Sequence, residues 1–130
     1  MDVLHLLVGR SAVFFCFICG IWGVLAHFRK APDDSRYTST LIIAEVLLVA
    51  QAILGITLIL SGRMPPDPMH IAYGALAAIV LPAVYGWANG RGARLALPTG
   101  IAMLFIGGLA IRAFTTSVVG FAGLVSQISR

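Results

Sequence analysis

Apolar residues run along this chain in four long stretches, and three short polar segments interrupt them. The stretches cover about residues 3–27, 38–62, 68–89 and 95–117, and the interruptions read FRKAPDDSRY, RMPPDPM and GRGAR. Each stretch is long enough for a membrane-crossing helix, which needs about 20 mostly apolar residues. Connections this short make successive helices antiparallel neighbours. The pattern therefore predicts one all-α domain over residues 1–130, an integral membrane four-helix up-and-down bundle. The first stretch is too long, and too soon followed by three more, to be a removable signal peptide, so it is expected to be retained. Residues 118–130 stay apolar but include Gly120, Gly123, Ser126 and Gln127. They are expected either to extend the fourth helix or to lie along the membrane interface.

Composition leaves no soluble alternative. Of 130 residues, 59% are hydrophobic and 11% charged, and the mean hydropathy is +0.97. A soluble domain of this size could not hide that much apolar surface. The few cations set the orientation, because Lys and Arg resist translocation. Arg29, Lys30, Arg36, Arg91 and Arg94 fall in the first and third connections, whereas the second holds Arg63 and the tail ends in Arg130. The first and third loops are thus expected to be cytoplasmic, with both termini periplasmic or extracellular and the protein in a prokaryotic cytoplasmic membrane. Topology alone accounts for the net charge of +4, so no nucleic-acid partner is implied. The expected partners are membrane lipid and other membrane subunits, or further copies of the chain.

Within the apolar background one pairing repeats. HLLVG begins at His5 and HIAYG at His70, and each places a glycine four residues after a histidine. Helices 1 and 3 run the same way, so both histidines lie near the outer surface at matching depth. In an up-and-down bundle these helices are diagonal partners, and two inward-facing imidazoles approach one object from opposite sides. A haem iron takes an imidazole nitrogen above and below the ring plane. A residue four positions on shares the helix face one turn along, so Gly9 and Gly74 would clear the volume a flat macrocycle needs. The expectation is one haem b per chain, with His5 and His70 as its axial ligands.

Charge points the same way. Arg10 and Arg112 fall within spans, in the same half as the histidines, and intramembrane arginines are costly unless partnered. No acid stands at that depth, since Asp33 and Asp34 are on the cytoplasmic side, Glu45 is in the inner half, and Asp2 and Asp67 are at the outer edge. The haem propionates would answer Arg10 and Arg112, with help from Arg63. The alternative is that the arginines snorkel to lipid headgroups.

HLLVGR, the long apolar helix ending in FRK, then LLVAQAILGITLILSG, a proline-containing turn and HIAYGALA together resemble one half of a haem A synthase. In that family each four-helix half holds a haem between two histidines on parallel helices. The resemblance covers about residues 2–78 and implies that His5 and His70 are axial ligands. It also implies that Asp2 stands where the family has a functional glutamate, three residues before the first histidine. The chain departs from the family at Leu6, where an arginine is usual, and it carries neither a second half nor an outer-loop cysteine pair. These departures imply a simpler haem protein on the half-bundle rather than haem A synthesis.

Other polar residues have plainer readings. Cys16 and Cys19, in CFIC, fall near mid-membrane as small packing residues. His27 is about 33 Å along the helix from His5 at 1.5 Å per residue and cannot share its site. Glu45 and Gln51 suit a proton relay, a quinone contact or, most ordinarily, a hydrogen bond between helices. The function expected is that of a membrane b-type cytochrome for electron transfer rather than a stand-alone enzyme. Its redox partner would be a quinol or an external redox protein, within a larger complex. The alternative is a non-haem structural or assembly subunit whose histidines bond headgroups or neighbouring helices.

Overall fold

The computed structural model describes residues 2–118, 126, 128 and 129, which contain four α-helices and no strand. They are α1 (Asp2–Phe28), α2 (Ser35–Leu60), α3 (Met69–Gly90) and α4 (Ala96–Val118). All four are long and apolar enough to cross a membrane. Even α3, with 22 residues, is about 33 Å long against a hydrocarbon core of about 30 Å. Apart from Ser126, Ile128 and Ser129, the tail after Val118, expected as a helical extension or an interfacial segment, lies outside the described residues.

The helix ends follow from local chemistry. Helix α2 starts three residues before its apolar stretch because the Asp34 carboxylate accepts the Arg36 backbone N–H at 2.9 Å. Such a cap supplies a partner that the first helical turn lacks. Asp67 accepts the Met69 N–H at 2.9 Å in the same manner, so α3 opens directly before His70. Helices α1, α2 and α3 end alike, with a positive φ at Lys30, Gly62 and Gly92. After each, the next N–H reaches back five residues, from Ala31 to Ala26, Arg63 to Leu58 and Ala93 to Ala88. This closure satisfies carbonyls that the helix leaves open and turns the chain sharply.

Helix α1 packs on α2 and α4, and α3 packs on the same two, while α1 and α3 lie diagonally with no backbone approach. The α1–α4 seam is the most intimate and α2–α3 the loosest. Accordingly 39% of the α4 span is buried but only 11% of α2, whose outer face is exposed.

Packing differs along the bundle axis. In the half away from the histidines, Cys16, Cys19, Leu41, Ala44, Met103 and Ile106 form a closed core. Glycines bring α1 and α4 together there. A Cβ built on Gly100 would stand 2.9 Å from the Val24 backbone nitrogen, and one on Gly20 would stand 2.6 Å from the Leu104 side chain. Close backbone approach at small residues is how membrane helices gain contact without a hydrophobic drive between them. Tyr37 and Thr99 share a buried 2.8 Å hydrogen bond across this region, and Trp22 packs edge-on to Tyr37. Arg94 donates to the Ala31 carbonyl and ties the two adjoining loops together. In the histidine half, past Leu48, Ala77 and Gly107, Thr116 is the one buried residue among those described. That half is hollow.

Candidate functional site

The hollow is a cavity of about 790 Å³ reached by all four helices and the α2–α3 turn. His5 and Gly9 line it from α1, Gln51 and Gly55 from α2, and Arg63 with Met64, Pro65 and Pro66 from the turn. His70 and Gly74 come from α3, and Ala110, Ala113 and Phe114 from α4. Most other wall residues are aliphatic, among them Leu48, Ile56, Ile59 and Ala77. Its size lies in the range of about 300–1,000 Å³ typical of small-molecule and cofactor sites, as does its mostly apolar wall with a few polar groups.

Up-and-down topology brings the two histidines, 65 residues apart in sequence, face to face. Their ring centres are 6.0 Å apart and the ring planes are inclined at 65°. A metal–imidazole nitrogen bond is about 2 Å and a ring nitrogen sits roughly 1 Å from the ring centre, so trans imidazoles on one metal have centres about 6 Å apart. The two rings are thus close enough for both to reach one atom between them. Among the described residues no group of three or more His, Cys, Asp or Glu side chains is placed to hold a bare ion. Two imidazoles suit a metal that carries its own equatorial ligands.

His70 is held in a single tautomer. Its Nδ1 lies 2.7 Å from the Ala113 carbonyl oxygen. A carbonyl only accepts, so Nδ1 carries the proton, and in the neutral ring Nε2 keeps its lone pair. Metal-binding histidines commonly donate their second nitrogen to such a carbonyl, which fixes the ring and raises its basicity.

His5 is held differently. Its Nε2 lies 3.2 Å from the Gln51 amide nitrogen. The amide N–H donates, so this ring nitrogen accepts and the proton again sits on Nδ1. His5 Nδ1 and Gln51 Oε1 are both buried and without a hydrogen-bond partner, a state that costs about 1–3 kcal/mol for each group. Two glycines make the contact possible. A Cβ on Gly55 would come within 3.4 Å of His5 Cε1, and one on Gly9 within 2.8 Å of the Gln51 amide nitrogen. The space beside Gly9, expected to be clear for a macrocycle, is therefore occupied by the Gln51 carboxamide. Gly74 does face open space, with nothing within 4 Å of an added Cβ.

The cations divide. Arg10 and Arg63 line the cavity, and the Arg10 guanidinium lies 6.0 Å from the Phe114 ring centre, the outer range of a cation–π contact. Arg112, expected to meet the propionates, is exposed and is not part of the cavity wall. Helix phase explains this, since Ala110, Ala113 and Phe114 turn one face of α4 inward and Arg112 falls on the opposite face. His27 lies at the other end of α1, remote from the pair. Cys16 and Cys19 are fully buried free thiols in the closed half.

Two members of the site, Gly55 and Ala113, escaped the sequence reading. Gly55 carries a signal there, because it follows Gln51 by four residues just as Gly9 follows His5. Ala113 carries none, since its contribution is a backbone carbonyl. No family model, no curated protein and no solved structure matches this chain.

Proposed function

We propose that the protein is a membrane b-type cytochrome that holds one haem between His5 and His70 and serves electron transfer. The observation that carries this reading is the diagonal imidazole pair, 6.0 Å apart between ring centres, in an apolar cavity with cations in its wall. A bound haem would supply a reversible one-electron couple at its iron. The chain's own part is to present two neutral imidazoles, to shield the ring with aliphatic side chains, and to offer Arg10 and Arg63 to its carboxylates. With His5 and His70 both engaged by the haem, electron transfer would be favoured over chemistry on a bound substrate. The redox partner would be a quinol in the membrane or a redox protein at the surface. The cation-rich first and third loops favour an orientation with the haem near the outer face of a cytoplasmic membrane. A single haem at one face cannot carry an electron across about 30 Å of hydrocarbon, so vectorial transfer would need a partner subunit.

The test is an absorption spectrum of protein purified from haem-replete cells, oxidised and then dithionite-reduced. Two imidazole ligands should give a Soret band and sharp α and β bands on reduction. Colourless, fully folded protein would instead favour a structural or assembly subunit, with the His5–Gln51 and His70–Ala113 bonds serving only to join helices.

A further inference from the structure

The two histidines differ in what holds them. His70 is tied through Nδ1, and its Nε2 is left for a ligand. His5 is held through Nε2 itself, by the Gln51 amide 3.2 Å away. Its Nδ1, by contrast, is buried and has no acceptor. A metal bond to His5 Nε2 and the hydrogen bond from Gln51 use the same lone pair, so they exclude one another. We infer that His70 is the anchored ligand of the pair and His5 the exchangeable one, with Gln51 the positioning residue that takes over His5 Nε2 when the iron releases it. This rests on the haem reading above and extends it to a gated position on the His5 side of the iron, open to a small neutral ligand such as carbon monoxide.

The surroundings were shaped for this contact. Gly9 leaves room for the Gln51 carboxamide against α1, where even a methyl group would stand 2.8 Å from the amide nitrogen. Gly55, one turn further along α2, leaves room for the His5 ring, with an added Cβ 3.4 Å from Cε1. Gln51 and Gly55 thus form on α2 a pocket that accepts the displaced ring. No equivalent faces His70, where Gly74 opens on empty space. When a ligand replaces His5 on the iron, the lost metal bond is offset in part by the regained hydrogen bond from Gln51. In that state both the imidazole and the amide keep a partner.

The experiment is carbon monoxide titration of the full-length ferrous protein, as wild type, Gln51→Leu and Gln51→Met. Wild type should bind carbon monoxide with a shifted Soret band. Both variants should bind it about fivefold more weakly per haem bound, because the released His5 has lost its hydrogen bond. A merely structural role predicts the opposite, since loosening α2 would ease His5 displacement and raise the affinity. Wild type that ignores carbon monoxide, or variants that bind it equally or better, would overturn the inference. Nitrogen-15 NMR of histidine-labelled, haem-free protein separates this from failure of the haem reading. It should find His5 protonated on Nδ1 with an Nε2 resonance that moves in Gln51→Leu. A His5 protonated on Nε2, or unmoved by the substitution, sinks the inference whether or not the protein binds haem.

Discussion

The two halves of this bundle are built from the same helices but solve opposite packing problems. Away from the histidines, Gly20, Gly23 and Gly100 draw α1 and α4 together until backbone meets backbone, and Cys16, Cys19, Met103 and Ile106 fill what is left. At the histidine end the small residues Gly74, Ala110 and Ala113 face a cavity of about 790 Å³ instead of another helix. Small residues therefore carry no fixed meaning in a membrane helix. They mark close approach where a neighbour's backbone lies opposite, and they mark a site where polar groups converge on open space. The closed half holds the helices in register, which lets the other half stay hollow without collapse.

The same leucine placed in each half should have opposite effects. In Gly100→Leu the new side chain begins 2.9 Å from the Val24 backbone nitrogen, and backbone cannot yield as a side chain can. Overpacking of this kind costs about 3 kcal/mol or more, so thermal unfolding in detergent should show a large fall in stability or no folded protein. Gly74→Leu meets nothing within 4 Å and replaces a poor helix former. Its stability should match or exceed wild type while its haem content falls. Equal damage from both would mean that the hollow half is not a cavity in the membrane.

A smaller effect separates the two glycines below the histidines. Gly9→Ala adds a methyl group 2.8 Å from the Gln51 amide nitrogen. It should break the bond to His5 while the fold survives, because Gln51 can swing into the cavity. Nitrogen-15 NMR should show His5 changed and His70 unchanged, whereas Gly74→Ala should alter neither ring.

The two arginines differ in their place relative to the cavity. Arg10 lines the cavity and Arg112 does not. With a haem in the cavity, losing a cation near its carboxylates would favour the ferric state, so Arg10→Gln should lower the reduction midpoint. A shift of about 1.4 kcal/mol corresponds to about 59 mV for a one-electron couple. Arg112→Gln should leave the midpoint where it was. Redox titration of both variants beside wild type decides, and equal shifts would return Arg112 to the site.

In the closed half a single hydrogen bond is worth less. Tyr37→Phe removes the 2.8 Å bond to Thr99 and should cost about 1 kcal/mol in detergent unfolding, with no change in haem content.

The spans were legible because hydropathy and loop length act locally. Boundaries predicted at 3–27, 68–89 and 95–117 lie one residue from those of α1, α3 and α4. Helix α2 begins earlier than its apolar stretch because the Asp34 cap is a polar event, outside any hydropathy window. The His5–His70 juxtaposition follows from up-and-down order, which makes helices 1 and 3 diagonal. What the sequence hid is pairwise. That Gly9 seats a glutamine, that Gly100 meets Gly23, and that an alanine carbonyl holds His70 each depend on the rotation of two helices about their axes. No single helix pattern encodes that rotation. Arg112 illustrates the limit, since its depth was plain but its face was not.

Binding of one iron between His5 and His70 is read by haem titration into the purified protein. Wild type and His27→Ala should saturate at one haem per chain with low-spin spectra. His70→Ala should fail to hold haem, and His5→Ala should hold it weakly in a high-spin, five-coordinate form. Saturable low-spin binding that survives in the His5→Ala, His70→Ala double variant would contradict the account, as would no binding by folded wild type.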